Sequence, residues 1–254
     1  MGEVDRDELV RYLDELLGSP VQKDYCPNGL QVEGAQRVRK VATGVSACLE
    51  LFQQADAAGA DTVLVHHGIF WRGDPQQLTG WRLRRVAALV RSGLNLIAYH
   101  LPLDRHAELG NNALAARALG LGELAPFGDY EGEAVGFAGR LPAPVAPSAL
   151  VEAARRVFGR RPLAFLHGPD PVATLAVVSG GAEGLVHQAL DEGYDAFLTG
   201  EASEWVMNVA REGGIHFLAA GHYATERLGI QALGDHLADR YDLAVEFIDV
   251  PNPV

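Results

Sequence analysis

The strongest constraint on this chain is a rhythm in its hydrophobicity. Short apolar runs at 38–45, 62–65 and 95–99 are separated by segments of helical period at about 47–58 and 81–91. Apolar runs of this length, bounded by glycine and polar turns, read as buried strands, and strand, helix, strand in succession is a parallel crossover unit. The order returns in the second half, with strands at 174–178, 196–199 and 215–219 around helices at 183–191 and 202–211. The expected fold class is α/β: two similar halves with mainly parallel sheets, related by an internal pseudo-repeat.

The remaining segments fill in around these units. Leu9, Val10, Leu13, Leu16 and Leu17 place a helix over 5–17, which Gly18-Ser19-Pro20 stops. The polar stretch at 24–34 is turn-rich, 111–119 is helical, and Gly120, Gly122, Pro126 and Gly128 break that helix. The proline-rich 141–148 reads as a turn or linker ahead of a helix at 149–158. A helix at 225–238 and a strand at 245–250 close the chain. The halves are expected as 1–126 and 127–254, with the closing helix and strand able to pack on the first half.

The repeat places chemistry-bearing residues in equivalent positions. A shift of 134 puts Val45 on Ser179 and His67 on Glu201, and a shift of 122 puts His100 on His222 and Asp104 on Glu226. Each half thus carries a histidine and, four residues on, an acid just beyond a strand: HLPLD at His100 and HYATE at His222. Carboxyl ends of parallel strands are where ligands of open α/β sheets bind. His66 and His67 also leave a strand end, in HHGIFW, and Gly68 permits a bend that would aim both rings at one place.

His66, His67, His100, Asp104, His222 and Glu226 form a credible N/O donor set for two divalent ions, with zinc, iron, manganese or cobalt all acceptable. Glu226 can bridge two cations, which an imidazole cannot. Glu201 is the candidate general base or a group that orients a ligand, against an equally good alternative in which it begins a helix and complements its dipole. For Asp104 the alternative is a solvated loop in which it caps a helix beginning near Glu108. His106, His167, His187, His216 and His236 read as structural or exposed.

Charge and cysteine content narrow the classes. With 21 Lys and Arg against 33 Asp and Glu, the net charge of −12 disfavours nucleic acid and anionic membranes as partners. Cys26 and Cys48 are too few for a disulfide framework or a cysteine-rich zinc site. No apolar run approaches the roughly 18 residues of a membrane span, and the opening MGEVDRDELVRYLDELL is acidic and amphipathic, so a cytoplasmic protein is expected. Trp71, Arg72, Trp81, Arg82, Arg84, Arg85 and Arg91 mix stacking surfaces with guanidinium groups, a combination that could hold a nucleotide or single strand; an amphipathic surface helix explains it more cheaply. The glycines of 179–184 lack a Walker lysine.

Six motifs in order carry a resemblance: DYCPNGLQVEG from Asp24, LVHHGIFW from Leu64, AYHLPLDRHAELGNN from Ala98, DAFLTGEASEW from Asp195, FLAAGHYATERLGI from Phe217 and the closing EFIDVPNPV. Together they resemble the Nif-three-like dinuclear metal-centre proteins, also called GTP cyclohydrolase 1 type 2 homologues. The resemblance implies two α/β halves with the metals between them. It implies His66, His67, Asp104, His222 and Glu226 as ligands, His100 beside them, and a toroidal homohexamer. The family's name implies opening of the GTP purine ring and its metal centre a hydrolase, so the expected activity is metal-activated water acting on a small nucleotide-like or phosphorylated substrate. The alternative from another class is a non-catalytic metal-binding ring, metallochaperone or scaffold for a peptide or nucleic-acid partner.

Overall fold

Asp5 starts the first helix by accepting the backbone N–H groups of Asp7 and Glu8, and Gly18 ends it in the left-handed region at φ 64°. In this structure, a computed structural model, residues 2–19 and 23–254 are described. Pro20, expected to help stop that helix, lies outside the described residues. The chain divides into two units, Met1–Leu103 with Gly229–Val250, and Asp104–Leu228 with Pro251–Val254.

The first unit opens with β1 (Val4–Asp5) and α1 (Arg6–Leu17), whose Leu9, Leu13 and Leu17 recur every fourth residue on one buried face. Then come β2 (Gly29–Val32), β3 (Arg37–Val38), β4 (Lys40–Ser46), α2 (Leu49–Ala57), β5 (Thr62–His67), α3 (Gly80–Ser92) and β6 (Asn95–Ala98). Strands β4, β5 and β6 are mutually parallel, β2 joins β6 antiparallel at one edge, and the last strand of the chain pairs parallel with β4 at the other. Val41, Ala42, Val63, Leu64, Val65, Leu96, Ile97 and Ala98 are all buried, which is why these strands read as continuous apolar runs. Leu51, Phe52 and Ala55 of α2 pack on one face of these strands, with Ala42, Val63, Val65, Leu96 and Ala98.

The unit boundary falls inside α4 (Leu101–Arg105). The second unit continues with α5 (Asn111–Ala118), β7 (Gly122–Tyr130), β8 (Glu133–Val145), α6 (Pro147–Phe158), β9 (Leu163–Leu166), β10 (Val172–Val177), α7 (Val186–Asp191), β11 (Ala196–Thr199), α8 (Val206–Gly213), β12 (His216–Ala219) and α9 (His222–Thr225). Helix α10 (Arg227–Tyr241) leads back to the first unit and β13 (Ala244–Phe247), the edge partner of β4. The six-stranded sheet runs β7-β8-β10-β11-β12-β9, parallel among β10, β11 and β12 and antiparallel at its flanks. The α/β class holds, and both units share the order strand, helix, strand, helix, strand with those strands parallel.

The sequence reading of 141–148 as a turn or linker is corrected: β8 runs through to Val145, and Pro147 opens α6. The prolines fit because the ladder is broken where they lie. Arg140 faces Thr174 and Val145 faces Val172, so Leu141–Pro144 sit in an irregularity where no regular N–H pairing is required. Pro126, read as a breaker, stands in the edge strand β7, where a missing donor costs little. The expected junction at 126/127 falls inside β7, whereas the units divide between Leu103 and Asp104. Among the described residues no helix is long and apolar enough to cross a membrane.

Candidate metal centre

In the first unit β5 delivers His66 and His67, and His100 follows β6. Their ligand nitrogens all lie within 4.8 Å of one another, and the ring centroids are 4.6 to 5.6 Å apart. His66 Nδ1 lies 3.0 Å from the Tyr99 carbonyl, which can only accept, so Nδ1 carries the proton. In a neutral ring this tautomer leaves the lone pair on Nε2, the form that binds metals. His100 Nδ1 lies 2.8 Å from Asp24 Oδ1, which fixes the same tautomer. His67 Nδ1 is held 3.0 Å from Ser46 Oγ, at the end of the neighbouring strand. A Cβ at Gly68 would displace the Gln31 amide, whose Oε1 accepts the Ile69 N–H at 2.8 Å.

Asp24, which the sequence reading passed over, organises this group. Its carboxylate accepts the N–H groups of Tyr25, Cys26 and Leu101, the Asn28 side-chain amide and His100 Nδ1. Burial alone would raise its pKa, but the His100 ring and these donors outweigh it and hold the carboxyl below its ordinary value. The signal lay in DYCPNG: an aspartate accepting N–H groups one and two residues on is a turn-former, and the same carboxylate reaches the strand end. Burial also pushes the adjacent Cys26 thiol up to about 12, with the Asp24 charge adding to it, so this cysteine is no thiolate nucleophile.

In the second unit His222 opens α9 and Glu226 lies one turn on. His222 Nε2 is 3.2 Å from Glu226 Oε2, and its Nδ1 is bonded to Glu201 Oε1. Burial favours the neutral ring, yet the Glu226 and Glu201 carboxylates prevail and raise the His222 pKa to about 9. Glu201 does not start a helix, since α8 begins at Val206; it holds the His222 ring instead. Gly180, at φ 69° in the turn after β10, leaves space for Glu226, whose Oε1 a Cβ would overlap. Its N–H donates to Thr225 Oγ1 at 3.0 Å, which ties this turn to α9.

Asp104 is only 5% exposed, so the solvated-loop alternative fails. Its Oδ1 accepts from Asn111 Nδ2 at 3.0 Å and Ser179 Oγ at 3.1 Å. The helix expected to begin near Glu108 is a turn instead, in which His106 Nδ1 accepts the N–H groups of Glu108 and Leu109; α5 begins at Asn111, and its N-cap, Gly110, has no side-chain capping bond. Asn112 locks the arrangement by accepting Ser179 N–H and donating to the Val135 carbonyl, both at 2.6 Å. Among the other histidines, His216 bonds the Pro169 carbonyl, His236 bonds Tyr12, His187 stacks on Trp205 and His167 is exposed. The first unit thus gathers three imidazoles, and in the second His222 is held between the Glu201 and Glu226 carboxylates, with Asp104 held by Asn111 and Ser179. Oriented imidazoles beside hydrogen-bonded carboxylates fit a borderline divalent metal by the chemistry of the donors.

A family model for Duf34/NIF3 (NGG1p interacting factor 3) matches residues 4–253. The chain belongs to this family. A Pseudomonas aeruginosa protein named GTP cyclohydrolase 1 type 2 homolog is 45% identical over 245 residues, 96% of this chain and 97% of that protein. Among solved structures, protein ybgI, of unknown function, matches with a TM-score of 0.92 and 43% identity over 99% of this chain and all of that one. TTHA1606 from Thermus thermophilus matches at 0.90 and 39%, over 99% of this chain and all of that one.

Proposed function

We propose that His66, His67, Asp104, His222 and Glu226 together hold two divalent ions, with Glu226 bridging, and that the protein is a metal-dependent hydrolase. The observation that carries this reading is the fixed tautomer of the proposed ligand His66, whose Nδ1 is tied to the Tyr99 carbonyl so that Nε2 offers its lone pair. A dinuclear centre activates water and clamps the oxygens of a displacement, which suits a phosphorylated or nucleotide-like substrate. Asp104 and His66 serve one ion, His67 and His222 the other. His100 stands beside them as a hydrogen-bonding group, and Glu201 accepts the proton on His222 Nδ1 and is placed to relay it.

The relatives' name directs the first screen to GTP. Metal-loaded protein is expected to hydrolyse GTP or another phosphorylated nucleotide, with Glu201→Gln slower by about 100-fold or more, the scale of a lost general base. Full metal occupancy without turnover across such a panel would leave a metal-holding scaffold instead. Zinc, iron and manganese are all compatible with these donors, and a homohexamer is part of the same reading, checked by light scattering.

The protonation of His222 gives a pH signature. With a pKa of about 9 in the metal-free protein, the ring is cationic at neutral pH, so a metal must displace a proton from it. Metal affinity should rise from pH 6.5 to about 9 and then level off, with only part of that slope lost in Glu201→Gln, because Glu226 is the larger cause of the raised pKa. The linked stability runs the other way: because the folded pKa is raised, the ion pairs stabilise the metal-free chain fully below pH 6.5, and this contribution is lost as pH climbs through about 9. Metal titrations and melts across pH check both slopes.

A further inference from the structure

Outside the histidine groups, the first unit carries a cleft of about 330 Å³ between the loop at 69–78 and the start of α3. Its lining is unusual for a chain of net charge −12: Arg72, Arg82 and Arg85 face it against Asp74 alone. Phe70, Leu78 and Trp81, all lining residues, stay 39%, 44% and 48% exposed. The guanidinium carbons of Arg82 and Arg85 lie 4.4 and 4.8 Å from the Trp81 ring centre, so the indole holds both cations at the cleft. Arg82 is 3.6 Å from Asp74, yet its buried Nε has no hydrogen-bond partner among the described residues.

Helix α3 adds to this positive end. Its N-cap, Thr79, makes no side-chain capping bond, and no acid stands in its first turn, so the helix start and the arginines favour an anion together. The aromatic surface favours a flat ring beside that anion. We infer that this cleft binds one nucleotide unit, its phosphate on Arg82 and Arg85 and its base against the exposed face formed by Trp81 and Phe70. The volume is at the lower end for small-molecule sites, which suits a single nucleotide rather than a strand. Planar guanidinium forks match phosphate oxygens in pairs, and aromatic faces accept any base, so the site selects the nucleotide class without choosing the base. The inference does not require the metal reading, because every residue it uses lies outside the proposed ligand set.

The test is titration of the full-length chain with AMP, followed by tryptophan fluorescence and calorimetry, on chelator-stripped and metal-loaded protein. Adenosine and inorganic phosphate serve as the part-ligands. Saturable AMP binding is expected in both states, at least about tenfold tighter than either part. Trp81→Ala and Arg85→Ala should each weaken it about tenfold, the loss for one stacked aromatic or one phosphate-binding cation, while Trp81→Phe retains most of it. No saturation in stripped protein, binding unchanged by Arg85→Ala, or affinity that climbs with length in an oligoadenylate series would each overturn the inference. Failure of the hydrolase reading would show differently, as AMP binding by metal-loaded protein that turns over none of the nucleotides in the GTP panel.

Discussion

Glu226→Ala leaves a folded chain that has lost its bound metal. Changes to groups one step outside a metal site cost 10- to 100-fold in affinity, so removing a bridging carboxylate should cost at least about 100-fold. Glu226 is 3% exposed and engages His222 Nε2, so its removal also lets the His222 pKa fall back toward the ordinary imidazole value. Metal analysis after gel filtration, with circular dichroism to confirm the fold, measures the loss. Glu226→Gln keeps the volume and removes the charge; it should lose metal as well. Retention of full metal in both variants would remove Glu226 from the ligand set.

Asp24→Ala is the second large effect, and it acts on the fold as well as the site. One carboxylate accepts five donors from two segments: Tyr25, Cys26, Asn28, His100 and Leu101. With its side chain only 3% exposed, truncation strands several of those donors away from water. Each stranded donor costs about 1–3 kcal/mol, so a loss of roughly 3–5 kcal/mol is expected, large against the usual margin of stability. Since folded Asp24 has a lowered pKa, its contribution is present above the ordinary aspartate range and is lost as the solution is acidified through the folded value. Asp24→Asn keeps an acceptor for His100 and should lose less stability, with weaker metal binding. Chemical denaturation and metal affinity on both variants separate the two roles; equal stability in all three chains would refute the assignment.

Much of this was readable in the sequence because the parallel strands are buried on both faces and therefore spelled as unbroken apolar runs. The flanking antiparallel strands were not, and their prolines and glycines explain why. Strand β8 carries Pro142 and Pro144 where its register with β10 breaks, and β7 carries Pro126 at a sheet edge, so local punctuation signalled turns where the sheet supplied strands. The histidine and acid positions showed because the repeat aligned His100 with His222 and Asp104 with Glu226. The groups that orient them did not. Ser46, Asp24, Asn111, Asn112 and Ser179 act through contacts with residues distant in sequence or a turn or more away, and single polar residues carry no periodic signature.

The dinuclear centre is tested most directly by counting metal. Elemental analysis of folded wild-type protein, purified anaerobically without added metal, should give about two divalent ions per chain, the count that five ligands with one bridging carboxylate predict. Zero or one ion per folded chain, unchanged after incubation with zinc, iron or manganese, would contradict it.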